Sequence, residues 1–252
     1  MSMKEEMSLV DHLGELRKRI MWVLLMLVIG MVIGLVFARS LIRFLKSVPP
    51  ANGIEWNVFS PWDSLKLYMN FGLVVGLLIT LPIALYHIWA FVKPGLRVSE
   101  QKASIMYIPA VFIFFLAGLS FGYFVVFPLA FHFTSSISQS LEINEVYGVS
   151  QYFSFMFNIL IPLSLVFEMP IVVMFLTKIR LLNPKLLQKF RRYAYMLMVV
   201  LSTLITPPDA ISAILVSIPL IILYEIGVFF STRIHRKQLL QDAEWAQEST
   251  PE

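Results

Sequence analysis

Leu204-Ile205-Thr206-Pro207-Pro208-Asp209 closes one apolar run and opens another, and the run it closes is too short to cross a bilayer in the usual way. Tyr193 to Thr206 has 14 residues, which as a helix at about 1.5 Å per residue reach about 21 Å, against a hydrocarbon core about 30 Å thick. Proline offers no amide donor and its ring clashes with the preceding turn, so Pro207 and Pro208 end the incoming helix, while Asp209 is placed to cap the next one. The expectation is a shallow membrane hairpin turning at Thr206 to Asp209. Local thinning of the bilayer or sheltering by neighbouring helices would accommodate it.

Working outward from that corner, the rest of the chain explains why a membrane is the right solvent. Hydrophobic residues make up 58% and charged residues 14%, an excess over the soluble balance that long apolar stretches account for. Six runs stand out: Ile20 to Ala38, Leu67 to Phe91, Ala103 to Phe127, Tyr152 to Leu176, Tyr193 to Thr206 and Ala210 to Phe230. The fold class expected is therefore an all-α integral membrane protein of six transmembrane helices, with the last two short. An even number of spans puts both termini on one side.

Charge says which side. The first tail, the second and fourth connections and the last tail together carry 16 of the 20 Lys and Arg residues, and the long stretch Leu129 to Gln151 carries none. Cytoplasmic segments hold that excess, so both termini are expected to be cytoplasmic. The net charge of +4 then reads as a topology signal and as affinity for anionic lipid headgroups, and nucleic-acid binding is not needed to explain it. The charged start leads into an apolar run too long for the core of a signal peptide, so the first span is expected to stay. The chain has no cysteine, which excludes disulfides, thiolate metal sites and cysteine nucleophiles; no metal or cofactor is expected.

Before the first span, Ser8 to Arg19 places Leu9, Leu13, Leu16 and Ile20 at helical spacing and reads as an amphipathic helix on the inner surface. Its other face offers Glu15 and Arg19, four apart and able to pair with each other. The loop from Arg39 to Lys66 mixes chain breakers with Trp56, Phe59 and Trp62, the composition of a segment ordered against the membrane surface. Residues 1–231 read as one domain, and the polar tail 232–252 as disordered.

Gly118-Leu119-Ser120-Phe121-Gly122 matches the G-x-S-x-G of serine hydrolases only as letters, since a nucleophile elbow needs a strand, a turn and a helix. These residues lie inside an apolar helical run, where two glycines four apart make a close-packing face. No phosphate-binding G-x-x-x-x-G-K-[ST] occurs, so energy must come from a gradient or a partner. Glu168, midway along the fourth run and followed by Pro170, is the strongest single-residue signal: a carboxyl at that depth costs about 2.5 to 3.5 kcal/mol on insertion scales and normally faces the bundle interior or a wet cavity. A proton relay, a polar anchor for another helix and a plain structural hydrogen bond all fit it; the first would make the chain a proton-coupled small-solute transporter. Glu225, near the basic tail, is placed to snorkel or to pair with a Lys or Arg. Glu15 and Glu100 sit at the same membrane surface, where two carboxylates could receive two guanidinium groups and tell Arg from Lys. Because exposed ion pairs contribute only about 0 to 1 kcal/mol each, such a ligand would need a hydrophobic segment as well.

The order of several motifs is similar to that of one known family. His12-Leu13-Gly14-Glu15-Leu16-Arg17-Lys18-Arg19, then Leu85 to Leu96 (LYHIWAFVKPGL), Phe121 to Leu129 (FGYFVVFPL), Phe167-Glu168-Met169-Pro170, the corner Leu204 to Asp209, and Tyr224 to Phe230 (YEIGVFF) resemble TatC, the multispanning receptor subunit of the twin-arginine protein translocase. The resemblance runs from about His12 to Ser231. It implies a concave, cupped bundle of six helices and a non-enzymatic receptor in a prokaryotic inner membrane, which binds the paired arginines of a signal peptide at the cytoplasmic face and starts export of folded proteins with the proton motive force. By the same resemblance Glu15 and Glu100 take the two arginines, Phe91, Pro94 and Leu96 frame the site, and Glu168 serves the concave face and the docking of partner helices. The loop departs from many members at Arg97, where they carry an aromatic after the leucine, and at Ser99 and Gln101, where they carry a basic residue on each side of the glutamate. The implied partners are single-span TatA-type subunits, with TatB where present, twin-arginine signal peptides, lipids and further copies of the chain. Six helices cannot enclose a pore wide enough for a folded domain, which agrees with recruitment of other subunits.

Overall fold

In a bilayer every backbone polar group must be satisfied within its own segment, so apolar runs of this length have helix as their only single-chain solution. The protein's structure is a computed structural model that describes residues 9–93, 101, 107–206 and 210–248. Chain order is α1 (Leu9–Ser47), β1 (Trp56–Asn57), α2 (Pro61–Val92), α3 (Tyr107–Phe121), a π-helical turn (Gly122–Val126), α4 (Phe127–Ser140), β2 (Tyr147–Gly148), α5 (Val149–Phe167), α6 (Met169–Lys178), α7 (Pro184–Lys189), α8 (Arg191–Ile205) and α9 (Ala210–Glu248). Among the described residues five helical stretches are long and apolar enough to cross a membrane: 14–47, 61–92, 107–140, 149–178 and 211–243. The 15 residues of α8 fall short of that length. The helix ends at Ile205, and Thr206 leaves it in extended backbone, with its hydroxyl donating to the Ser202 carbonyl at 2.8 Å. Pro207, Pro208 and Asp209 lie outside the described residues.

Glycines set the tightest crossings. Gly30 and Gly34 on α1 meet Gly76 and Gly72 on α2 so closely that a Cβ on Gly34 would lie 2.8 Å from the Gly72 Cα. Gly118 on α3 packs on α5, where an added Cβ would lie 2.6 Å from the Ser164 Cα, so the G-x-S-x-G letters are a packing face, as their place in an apolar helix implied. Below Gly118 the ladder slips to i−5 spacing, the Phe127 amide donating to Gly122; Pro128 cannot donate, and its ring needs the extra room.

At the end of the bundle remote from the N-terminus, aromatic rings tie the loops down. Trp56 of β1 lies 5.0 Å, centroid to centroid, from Tyr152 and stacks at 5.7 Å on Phe153, while Phe71 meets Phe157 at 4.9 Å. β1 and β2 pair in parallel, Trp56 with Tyr147 and Asn57 with Gly148. α2 then starts on a capping box: the Ser60 and Phe59 amides donate to Asp63 Oδ2 at 3.0 and 3.1 Å, and Pro61 fills the first turn, which is how buried Asp63 is satisfied.

Several boundaries differ from the sequence expectation, each for a local reason. The surface helix and first span are one continuous helix, because nothing between Arg19 and Ile20 breaks it. The third span extends through Ser140, since Ser and Thr at 134–140 return their hydroxyls to the preceding turn. The fourth is interrupted at Glu168. The tail, expected to be disordered from 232, is helical to Glu248. It is held against the connection after α6: Arg180 forks onto Asp242 at 2.8 and 2.9 Å, and buried Gln238 donates to the Lys178 carbonyl at 2.8 Å.

Candidate functional site

The first glutamate singled out, Glu15, stands one turn before Arg19 on α1, near the end of α2. Arg19 Nε donates to Glu15 Oε1 at 3.1 Å, Nη2 donates to the same oxygen, and Nη2 also donates to the Ala90 carbonyl at 3.0 Å. The i,i+4 pairing read from sequence is therefore present. What sequence gave no sign of is the third contact, which ties the start of α1 to the last turn of α2 across 71 residues.

Between those helices lies a cavity of about 320 Å³. Its apolar wall includes Leu16, Ile20 and Val23 from α1 and Ala84, Ile88 and Phe91 from α2, and Arg19 and His87 complete it. Phe91, expected to shape the site, is thus beside Arg19. Behind it Trp89 is buried, with Lys93 Nζ 5.2 Å from its ring centroid. Pro94, Leu96 and Glu100 lie outside the described residues.

Glu168 occupies a different environment. It sits at the break between α5 and α6, where its amide reaches back only to Leu165 at 3.2 Å and its carbonyl accepts from Val172 at 3.0 Å. Pro170 in the first turn of α6 removes a donor and forces the break. The side chain is 6% exposed, and neither carboxylate oxygen has a hydrogen-bond partner among the described residues; the Phe115 backbone on α3 faces it without meeting hydrogen-bond geometry. Close walls surround it: Gly118 packs on Ser164 and Phe167, and Gly227 of α9 lies against Pro170. A buried polar group without a partner is costly, and Glu168 is the one buried carboxylate left so among the described residues.

Glu225 pairs as expected, accepting from Arg191 Nη2 at 2.8 Å and from the Tyr195 hydroxyl at 2.5 Å, which joins α8 to α9. Its carboxylate is spoken for, unlike that of Glu168. At the opposite end of the bundle Glu145 accepts from the Tyr147 hydroxyl at 2.5 Å and from Ser135 at 3.0 Å. The Tyr147 hydrogen bond holds the Glu145 carboxyl below its usual range, and Tyr147 is pushed up to about 12, first by burial and then by that carboxylate.

The whole arrangement can be compared with known proteins. A family model described as Sec-independent protein translocase protein (TatC) matches residues 11–219. The Sec-independent protein translocase protein TatC of Halalkalibacterium halodurans is 40% identical over 249 residues, 97% of this chain and 98% of that protein. TatCy of Bacillus subtilis is 41% identical over 232 residues, 92% of this chain and 91% of that one. A crystal structure described as the twin-arginine translocase receptor TatC superimposes with a TM-score of 0.71 at 33% identity, covering 88% of this chain and 99% of that chain.

Proposed function

Because this chain belongs to the TatC family and is a multi-pass receptor subunit of a twin-arginine translocase, we propose that Glu15 and Glu100 receive the two guanidinium groups of a twin-arginine signal peptide. Phe91, Pro94 and Leu96 frame that site. In this reading the chain spans a prokaryotic inner membrane six times with both termini cytoplasmic, α8 being the short span. Glu168 is the polar site at which a TatA-type helix, or TatB where present, docks. The receptor complex contains several copies of the chain. The observation that carries the reading is the contact at Glu15, whose Oε1 already accepts two N–H groups of one guanidinium beside an apolar cavity. A planar fork satisfies such a carboxylate and an ammonium point charge does not, so the site discriminates Arg from Lys.

The test is photo-crosslinking of Arg-Arg and Lys-Lys signal peptides to the protein in native membranes, for wild type, Glu15→Ala and Glu100→Ala. Crosslinks that disappear with Lys-Lys and in either variant are expected. Equal crosslinking throughout would remove the carboxylates from the recognition site.

A further inference from the structure

The connection from α6 into α8 is laced to α9 along its length. Arg191 Nη2 donates to Glu225 at 2.8 Å, Gln188 Nε2 donates to the Thr232 hydroxyl at 3.2 Å, and Arg180 forks onto Asp242. The Tyr224 hydroxyl adds a bond to the Leu187 carbonyl at 2.8 Å. As the connection is followed back from 191 to 180, its partner on α9 moves forward from 225 to 242, so the two segments form an antiparallel seam.

That seam holds cations in fixed places. Glu225, Thr232 and Arg236 recur at i, i+7 and i+11, one face of a helix, so Arg236 stands one turn beyond the rung at Thr232. Lys189 follows Gln188 in the chain, and Arg233 follows Thr232 with its guanidinium carbon 4.4 Å from the Phe229 ring centroid. Lys189, Arg233 and Arg236 are exposed and have no acidic partner among the described residues. Acids are scarce here: from Pro184 to Gln238 the sequence has only Asp209, at the corner between α8 and α9, and Glu225, which Arg191 occupies.

These cations stand where apolar surface ends. α8 exposes Tyr193, Met196, Leu197 and Val200 just after Lys189, and α9 exposes Ile222 and Phe229 just before Arg233. A ligand that answers both features is anionic at one end and apolar over the rest. An acidic peptide would pair with the cations and leave the apolar faces bare, and a zwitterionic lipid head brings a cation of its own. α8 also has only 15 residues, about 22 Å as a helix, against about 30 Å of hydrocarbon. A phosphate held at its start would draw that lipid towards the bilayer centre and help match the short helix.

We propose that the seam between the α7–α8 corner and α9 is a headgroup site for an anionic phospholipid, with the phosphate on Lys189, Arg233 and Arg236 and the chains along the exposed faces of α8 and α9. The site draws nothing from the arginine-recognition reading.

The experiment is native mass spectrometry of the full-length protein released from nanodiscs of equal phosphatidylglycerol and phosphatidylcholine, with free glycerol 3-phosphate added in a second arm. Wild type should retain phosphatidylglycerol over phosphatidylcholine, and glycerol phosphate should not displace it. Each cation near the headgroups is worth roughly fivefold, so Arg233→Gln/Arg236→Gln should cut that retention by about tenfold or more, and Lys189→Gln alone by about fivefold. Arg233→Lys/Arg236→Lys should keep most of it, since phosphate accepts a point charge. Arg17→Gln/Lys18→Gln, which removes equal charge at the start of α1, should leave it unchanged. No preference for phosphatidylglycerol in wild type, as for a surface kept for an acidic protein segment, would overturn the proposal. So would an equal loss in the α1 variant, an equal loss in the Gln and Lys variants of Arg233 and Arg236, or displacement by glycerol phosphate, which would make this a site for a free phosphate.

Discussion

Glu15 and Glu168 are the same side chain in opposite circumstances. Glu15 lies near the start of α1, is partly exposed and is paired with a neighbour one helical turn away; Glu168 is buried at a helix break and has no hydrogen-bond partner among the described residues. A surface carboxylate that is easily paired can exchange its partner at little cost, which suits recognition. An interior carboxylate left unpaired is a standing cost that a fold keeps only for a use, and it can be satisfied by whatever docks against it.

The largest effect that could break this contrast is on binding. Glu15→Gln removes the charge that a guanidinium needs, and loss of a charge-assisted hydrogen bond of about 1.5 to 3 kcal/mol should weaken an Arg-Arg peptide by roughly tenfold or more, measured by fluorescence anisotropy. Glu168→Gln should leave that affinity unchanged; an equal loss in both variants would dissolve the distinction. The next effect is on stability, with the opposite ranking. Glu168→Leu removes a buried unsatisfied group and should raise the thermal midpoint of the detergent-solubilised protein, by the equivalent of about 1 to 3 kcal/mol, while crosslinks to TatA-type helices fall. Glu15→Gln should move the midpoint little.

Glu145 supplies the exposed reference point, and the smallest effect. Its carboxyl is held low by the Tyr147 hydroxyl, so the pair's contribution is complete above the ordinary carboxylate value of 4.5 and fades as pH falls below it. Tyr147 is raised from 10.0 to about 12, so the same contribution is lost as pH climbs from 10 through 12. Tyr147→Phe should flatten both edges of the stability profile slightly, read by thermal shift across pH. A large change would mean that the outer loops carry more of the fold than their exposure indicates.

Much of this molecule was legible as sequence because bilayer constraints are strong. Length and hydropathy locate the five long spans, the 14 residues before Pro207 mark the short helix, and a lone Glu in an apolar run marks Glu168. What was not legible depends on partners distant in the chain. Nothing local reveals that Arg19 reaches Ala90, or that Gly30 and Gly34 face Gly76 and Gly72, although both G-x-x-x-G spacings were there to be counted. Polarity after Phe230 suggested disorder, and the helix persists because Arg180 and Lys178, some 60 residues earlier, supply the contacts. The pairing of Trp56 with Tyr147 is equally non-local, two residues on each side. For the site, Phe91 lines one cavity with Arg19, the hydrogen-bond partner of Glu15; Glu100, Pro94 and Leu96 lie outside the described residues.

The most direct test of the central claim is a double-mutant cycle in nanodiscs: affinities of Arg-Arg and Lys-Lys peptides for wild type and for Glu15→Gln. If Glu15 receives a ligand guanidinium, the two changes are not additive, and a coupling of about 0.5 to 3 kcal/mol should appear. Additive effects, with the Arg-over-Lys preference unchanged in Glu15→Gln, would contradict it.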